Sequence, residues 1–183
     1  MKIKTWIATA ALLVTGVSLR ADHTWNWGDR FHYDRDAKDT FAVNEFQLDA
    51  FATYSAQQNK LADVSANSLK HGKWGGGLGV NYFFTRNFGI GADTHIEDDH
   101  GRFIDNLAGH ALVRFPIDNI NLAPYLLAGG GRDFEINRWF TDAGFGLEFR
   151  LNRNTGIFAD GRYVWVDDSP DYAMARAGLR FAF

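Results

Sequence analysis

The chain has 183 residues, 46% of them hydrophobic and 15% aromatic, with a formal net charge of −3 and no cysteine. The acidic balance argues against a nucleic-acid partner, which selects for basic patches, and the length suits one domain. Beyond the N-terminus no apolar run approaches the ~20 residues of a membrane helix.

Residues 1–21 read as a signal peptide. Lys2 and Lys4 precede an apolar run from Trp6 to Val17, too short to span a bilayer, and small residues follow. Cleavage after Ser18 fits the small-x-small rule better, and cleavage after Ala21 leaves a cleaner polar start. No Cys lies near either site, so a lipoprotein anchor is excluded. Cleavage after Ala21 removes Lys2, Lys4 and Arg20 and takes the formal charge from −3 to −6. Absence of cysteine fits a chain that crosses an oxidising periplasm without needing disulfides. Residues 22–43 are charged and aromatic, with Trp25, Trp27, Phe31 and Tyr33, and show no sustained period. We read them as a periplasmic N-terminal extension, a partly disordered leader rather than a segment packed at a barrel mouth.

From residue 44 to 183 the sequence alternates with period 2 in eight segments. Strand one, 44–54, sets Phe46, Leu48, Ala50, Ala52 and Tyr54 against Glu45, Gln47, Asp49 and Phe51. Strand two, 73–84, sets Trp74, Leu78, Val80, Tyr82 and Phe84 against Gly75, Gly77, Gly79 and Asn81. Strand three, 87–97, sets Phe88, Ile90, Ala92 and Ile96 against Asp93, His95 and Glu97. Strand four, 103–115, sets Phe103, Leu107, Ala111, Val113 and Phe115 against Asn106, His110 and Arg114. Strand five, 121–132, has no clean face, because Leu122 and Leu126 share the side that ends in Arg132. Strand six, 138–151, opposes Trp139, Ala143, Phe145, Leu147, Phe149 and Leu151 to Asp142, Glu148 and Arg150. Strand seven, 155–166, opposes Ile157, Ala159, Tyr163 and Trp165 to Asp160 and Arg162. The terminal strand opposes Leu179, Phe181 and Phe183 to Tyr172, Met174, Arg176, Gly178 and Arg180.

Each segment has roughly the 10 residues of a tilted membrane strand, and short turns alternate with generally longer polar connections at 55–72, 97–102, 133–137 and 167–171. An even number of strands suits closure, with the longer connections outside the cell. The expected fold class is all-β, an eight-stranded antiparallel up-and-down transmembrane β-barrel. A soluble lipocalin-like barrel shows the same period with its apolar face inside. Aromatic residues near strand ends and the mixed-sign polar face favour the membrane arrangement, and the terminal Phe183 resembles the ending of outer-membrane barrel strands.

That arrangement predicts a lumen charge network of Glu45, Asp49, Asp93, Glu97, Arg114, Arg132, Asp142, Glu148, Arg150, Asp160, Arg162, Arg176 and Arg180. Charges inside a barrel this narrow persist only when paired. Closure places the last strand beside the first, so Arg176 and Arg180 are expected to meet Glu45 and Asp49.

The segments Leu78-Gly79-Val80-Asn81-Tyr82-Phe83-Phe84, Ala123-Pro124-Tyr125-Leu126-Leu127-Ala128-Gly129-Gly130-Gly131 and Gly178-Leu179-Arg180-Phe181-Ala182-Phe183 resemble the small outer-membrane barrels of the OmpA, OmpX and OmpW type. The resemblance covers 44–183 and implies a Gram-negative outer-membrane address, with Phe181 and Phe183 as the assembly signal read by the barrel assembly machinery. It implies outer-membrane lipid and lipopolysaccharide as surroundings. It implies no peptidoglycan tether after the barrel, and no cofactor. Similar proteins serve in envelope integrity, surface contact or narrow, porin-like transport, so fold analogy does not choose among these roles. We expect a structural or surface-interaction protein, with an extracellular ligand, if any, at loop 55–72.

Two rivals remain. A narrow channel is suggested by Gly75, Gly77, Gly79, Gly89 and Gly91 on the lumen face, unless side chains from across the barrel fill the gaps. A lipid A-modifying enzyme has little support: no histidine heads a His-x-Ser, and no acid is evidently placed to orient His71 near Ser68. Asp93, His95 and Glu97 share a face, but His95 opposite Asn106 lies roughly 13 Å from His110 at strand rise. No metal or catalytic residue is therefore expected.

Overall fold

A computed structural model describes residues 40–57, 72–97, 105–134 and 137–183. The expected signal peptide, most of the expected N-terminal extension and most of the expected loop 55–72 lie outside the described residues. Eight strands follow in order: β1 Glu45–Gln57, β2 Lys73–Phe83, β3 Phe88–Glu97, β4 Asn106–Arg114, β5 Leu122–Asp133, β6 Arg138–Arg150, β7 Thr155–Val166 and β8 Tyr172–Ala182. Each pairs antiparallel with its neighbour in sequence, and β1 pairs with β8 to close the barrel. Closure leaves no open strand edge, the condition for backbone to cross a bilayer as sheet.

Three tight connections share one end. In residues 84–87, Thr85 Oγ1 accepts from Asn87 N and Phe88 N at 3.2 and 2.9 Å. Residues 115–121 contain a 3-10 turn, Asp118–Ile120, closed by Asn121 in the left-handed region at φ 54°, a conformation Asn tolerates better than most residues. In residues 151–154, Asn152 Oδ1 accepts from Asn154 N at 2.9 Å and Thr155 N at 2.8 Å. Side-chain acceptors thus replace the ladder where it stops. At the β8–β1 seam the ladder runs to the last residue: Phe183 N donates to Phe46 O at 2.8 Å and Phe46 N to Phe183 O at 3.3 Å.

Alternation sorts the side chains to two sides. Outward lie Trp74, Leu78, Trp139 and Phe145, each more than 60% exposed, while Glu45, Arg114, Glu148 and Arg150 are fully enclosed. A water-soluble barrel would show the reverse, so the outer face is matched to hydrocarbon. Among the described residues no helix is long and apolar enough to cross a membrane.

Several boundaries differ from the sequence reading. Asn44 is not in β1; its φ of 53° turns the chain just before the strand begins. β1 continues through Ser55, Ala56 and Gln57, which pair with Met174, Ala173 and Tyr172 of β8. Pairing to a neighbour thereby overrides the loop-like polarity of that stretch. β5 is apolar on both sides: Leu122 and Leu126 face out, while Tyr125 and Leu127 pack inward with Phe83 and Leu112. That double use removes the alternation from its sequence.

Candidate functional site

The inward side chains make two ionic clusters stacked along the lumen. Nearer the short-turn end, Glu45 Oε1 accepts from Arg114 Nη1 at 2.7 Å, Arg150 Nη2 at 2.6 Å and Gln47 Nε2 at 2.6 Å. Arg150 Nε also donates to Glu148, and Glu148 Oε2 accepts from Arg180 Nη1 at 2.7 Å. Arg180 then grips Asp49 with two parallel bonds, Nε to Oδ1 at 2.8 Å and Nη2 to Oδ2 at 2.7 Å. Asn81 Nδ2 donates to the same carboxylate at 2.9 Å. Three acids face three arginines here, and the forked Arg180–Asp49 geometry is the strong form of such a pair.

In the second cluster Arg176 makes a fork onto Asp160, Nε to Oδ1 at 2.8 Å and Nη2 to Oδ2 at 2.7 Å, and reaches Asp93 Oδ2 with Nη1 at 2.9 Å. Tyr125 donates its hydroxyl to Asp160 Oδ2 at 2.7 Å. Arg162 donates to Asp93 Oδ2 at 2.8 Å and Asp142 Oδ2 at 3.2 Å. His110 sits between the same two acids, Nδ1 3.4 Å from Asp93 and Nε2 2.9 Å from Asp142. Phe158 separates the clusters, with the Arg180 guanidinium 4.5 Å and that of Arg176 5.8 Å from its ring centre. Phe51 meets Phe158 edge-on at 6.1 Å and takes Arg176 at 4.5 Å. Guanidinium faces are thus covered by rings where no carboxylate reaches them.

The lumen glycines mark where neighbours enter. A Cβ on Gly77 would lie 2.6 Å from Phe51 Cε2, and one on Gly89 would lie 2.8 Å from Phe83 Cδ1. The rings filling these gaps come from the adjacent strand, not from across the barrel.

The structure separates the candidate residues of the sequence reading. Glu45, Asp49, Asp93, Arg114, Asp142, Glu148, Arg150, Asp160, Arg162, Arg176 and Arg180 are brought together inside. Arg180 meets Asp49 across the seam, but Arg176, opposite Thr53, meets Asp160 and Asp93, and Glu45 takes Arg114 and Arg150. Arg132 is a correction. It shares the outward face of β5 with Leu126, opposite Leu107 and Trp139, where it donates to Asn137 and its guanidinium carbon lies 5.6 Å from the Trp139 ring centre. The Glu97 side chain lies outside the described residues. Phe181 and Phe183 both face outward, with Phe183 6.5 Å from the ring of Phe46.

Sequence reasoning passed over Gln47, Asn81, His110 and Tyr125 as members. The first three carry the right parity and were findable as polar partners. Tyr125 was hidden by the two-sided β5. Across the sheet from His110 stand Gly91 and Gly129, which offer no nucleophile. Among the described residues no group of His, Asp and Glu could hold a metal ion.

Residues 9–183 match a family model described as Outer membrane protein beta-barrel domain. No curated protein matches the sequence. Among solved structures, Neisserial surface protein A is similar at a TM-score of 0.55 and 15% identity, over 75% of this chain and 97% of its own. The N-terminal β-barrel domain of Pseudomonas aeruginosa OprF gives 0.53 at 19% identity, over 77% and 98%. The attachment invasion locus protein Ail of Yersinia pestis, in complex with the heparin analogue sucrose octasulfate, gives 0.53 at 16% identity, over 77% and 99%. At these identities the likeness is one of fold. An apolar outer face, a closed eight-stranded ladder and a family match over nearly the whole length lead to one assignment: this chain belongs to the outer-membrane protein β-barrel family and resides in the cell outer membrane.

Proposed function

We propose that this protein is a structural and surface-contact barrel whose lumen is closed by its own ion pairs. One observation carries the reading. Each buried lumen arginine (Arg114, Arg150, Arg162, Arg176 and Arg180) is bonded to at least one enclosed carboxylate. A solute path needs charged groups that face water, and these groups face one another. Contacts outside the cell then fall to the longer connections, chiefly the one between β1 and β2, residues 58–72, since loops on a rigid scaffold carry recognition. Lipopolysaccharide and other outer-membrane lipids surround the apolar face, and the barrel assembly machinery reads the Phe181/Phe183 ending.

The test uses planar bilayers and a loop deletion. The folded protein gives no reproducible conductance steps, whereas regular steps would establish the narrow channel instead. Removing residues 58–71 leaves the heat-dependent gel shift intact and abolishes binding to host or bacterial surfaces; loss of the shift would place the loop in the folding machinery. Overexpression leaves the mass of lipid A unchanged, and an altered mass would make the protein an enzyme.

A further inference from the structure

The stretch just before β1 behaves unlike a leader. Phe41 is fully buried although it belongs to no strand. Its ring lies 5.2 Å from the Arg114 guanidinium carbon and 5.3 Å from that of Arg150, covering the outer faces of the first ionic cluster. Arg114 is covered on another side by Phe83, at 3.8 Å. Asn44, with φ 53°, makes the reversal that folds this segment back under β1.

What holds the segment is a set of side-chain bonds, not a ladder. Ala42 N donates to Glu45 Oε2 at 3.1 Å, and Ala42 O accepts from Arg114 Nη2 at 3.0 Å. Phe41 O accepts from Arg86 Nε at 3.1 Å, Arg86 Nη2 in turn holds Asp118 at 2.6 Å, and Thr40 Oγ1 donates to Asn121 Oδ1 at 2.9 Å. Two short turns are therefore tied to the segment and to each other. The Arg86–Asp118 pair is about a third exposed on each partner (35% and 31%), and exposed pairs contribute little. A segment with one buried ring and no strand pairing belongs to the part of a structure that opens first.

We infer that residues 40–43 form a hinged stopper at the periplasmic mouth of the lumen, whose release bares Arg114 and Arg150. Short turns mark the periplasmic end in barrels of this kind. The inference goes beyond the closed-lumen reading, because ion pairs that block the barrel midway need nothing at its mouth. Residues 40–43 thus tie the chain entering β1 to the first ionic cluster.

The experiment is arginine modification by phenylglyoxal on the folded full-length protein in detergent, mapped by peptide mass. Wild-type protein protects Arg114 and Arg150 while Arg153, on an exposed turn, is modified. Phe41→Ala raises modification of Arg114 and Arg150 about a hundredfold, the roughly 3 kcal/mol of a truncated buried ring expressed as an opening equilibrium. Arg180, deeper in the same cluster, stays protected, and Phe41→Trp restores protection. Arg86→Ala, which leaves each strand intact, raises modification in the same two positions. Equal reactivity of Arg114, Arg150 and Arg153 in the wild type overturns the stopper. So does a Phe41→Ala profile in which Arg180 rises in step, since that reports a loosened barrel rather than an opened mouth. Silence or conductance in bilayers bears on the lumen and leaves this comparison independent.

Discussion

Glu45 is the side chain on which the short-turn end of the lumen depends. One carboxylate receives two guanidinium groups, an amide and a backbone N–H, with no water reaching it. Its value lies less in attraction than in what its loss would strand. Breaking a buried ion pair on one side costs about 3–5 kcal/mol, because the partner charge is left enclosed. Glu45→Gln keeps an acceptor oxygen but leaves Arg114 without a charge partner and Arg150 with only Glu148. It should therefore lower the unfolding free energy by about 3 kcal/mol, read as a shift of the urea midpoint in lipid vesicles with unchanged slope. An unchanged midpoint would mean that the lumen is wet enough to solvate both arginines.

At the scale of strands, legibility followed the number of faces a strand presents. β6 could be read because Trp139, Phe145, Leu147 and Phe149 meet lipid while Asp142, Glu148 and Arg150 meet the network, so each position is chemically labelled. β5 resisted because its inner residues, Tyr125 and Leu127, join an apolar cluster inside the barrel. With both faces apolar, parity vanishes, and charge alone then assigns Arg132 to the lumen. Phe41 was illegible for another reason: it packs through a turn and a set of side chains, which leave no period in the sequence. β8 carries a different signal, since its last residue still exchanges two backbone bonds with Phe46. Deleting Phe183 removes both bonds and the ring contact, whereas Phe183→Ala removes only the ring. If the ending is also an assembly signal, both changes should lower the heat-shifted fraction in cell envelopes. Only the deletion should then slow refolding of purified protein into detergent. Equal effects of the substitution in both settings would assign the ring to seam stability alone.

For the whole molecule, the decisive fact is the inversion of a soluble protein. Most enclosed charges sit in the two ionic clusters, and most exposed large residues are apolar. Such a barrel presents apolar side chains outside and encloses its ion pairs within. Its response to salt follows. Raising ionic strength from 0.01 to 1 M shortens the Debye length from about 30 to about 3 Å, which screens exposed charges and leaves buried ones nearly untouched. Among the described residues, two exposed pairs are peripheral: Arg138–Asp168 joins the β6 start to the 167–171 connection, and Arg86–Asp118 joins two turns. Thermal or urea unfolding in vesicles of zwitterionic lipid should therefore be almost independent of salt across that range. The Glu45→Gln variant should be equally insensitive, although it is less stable, because the stranded charge is enclosed. A strong salt dependence of the wild type, lost in that variant, would show that solution ions enter the lumen, and the closed interior proposed for this barrel would have to be replaced by a hydrated one.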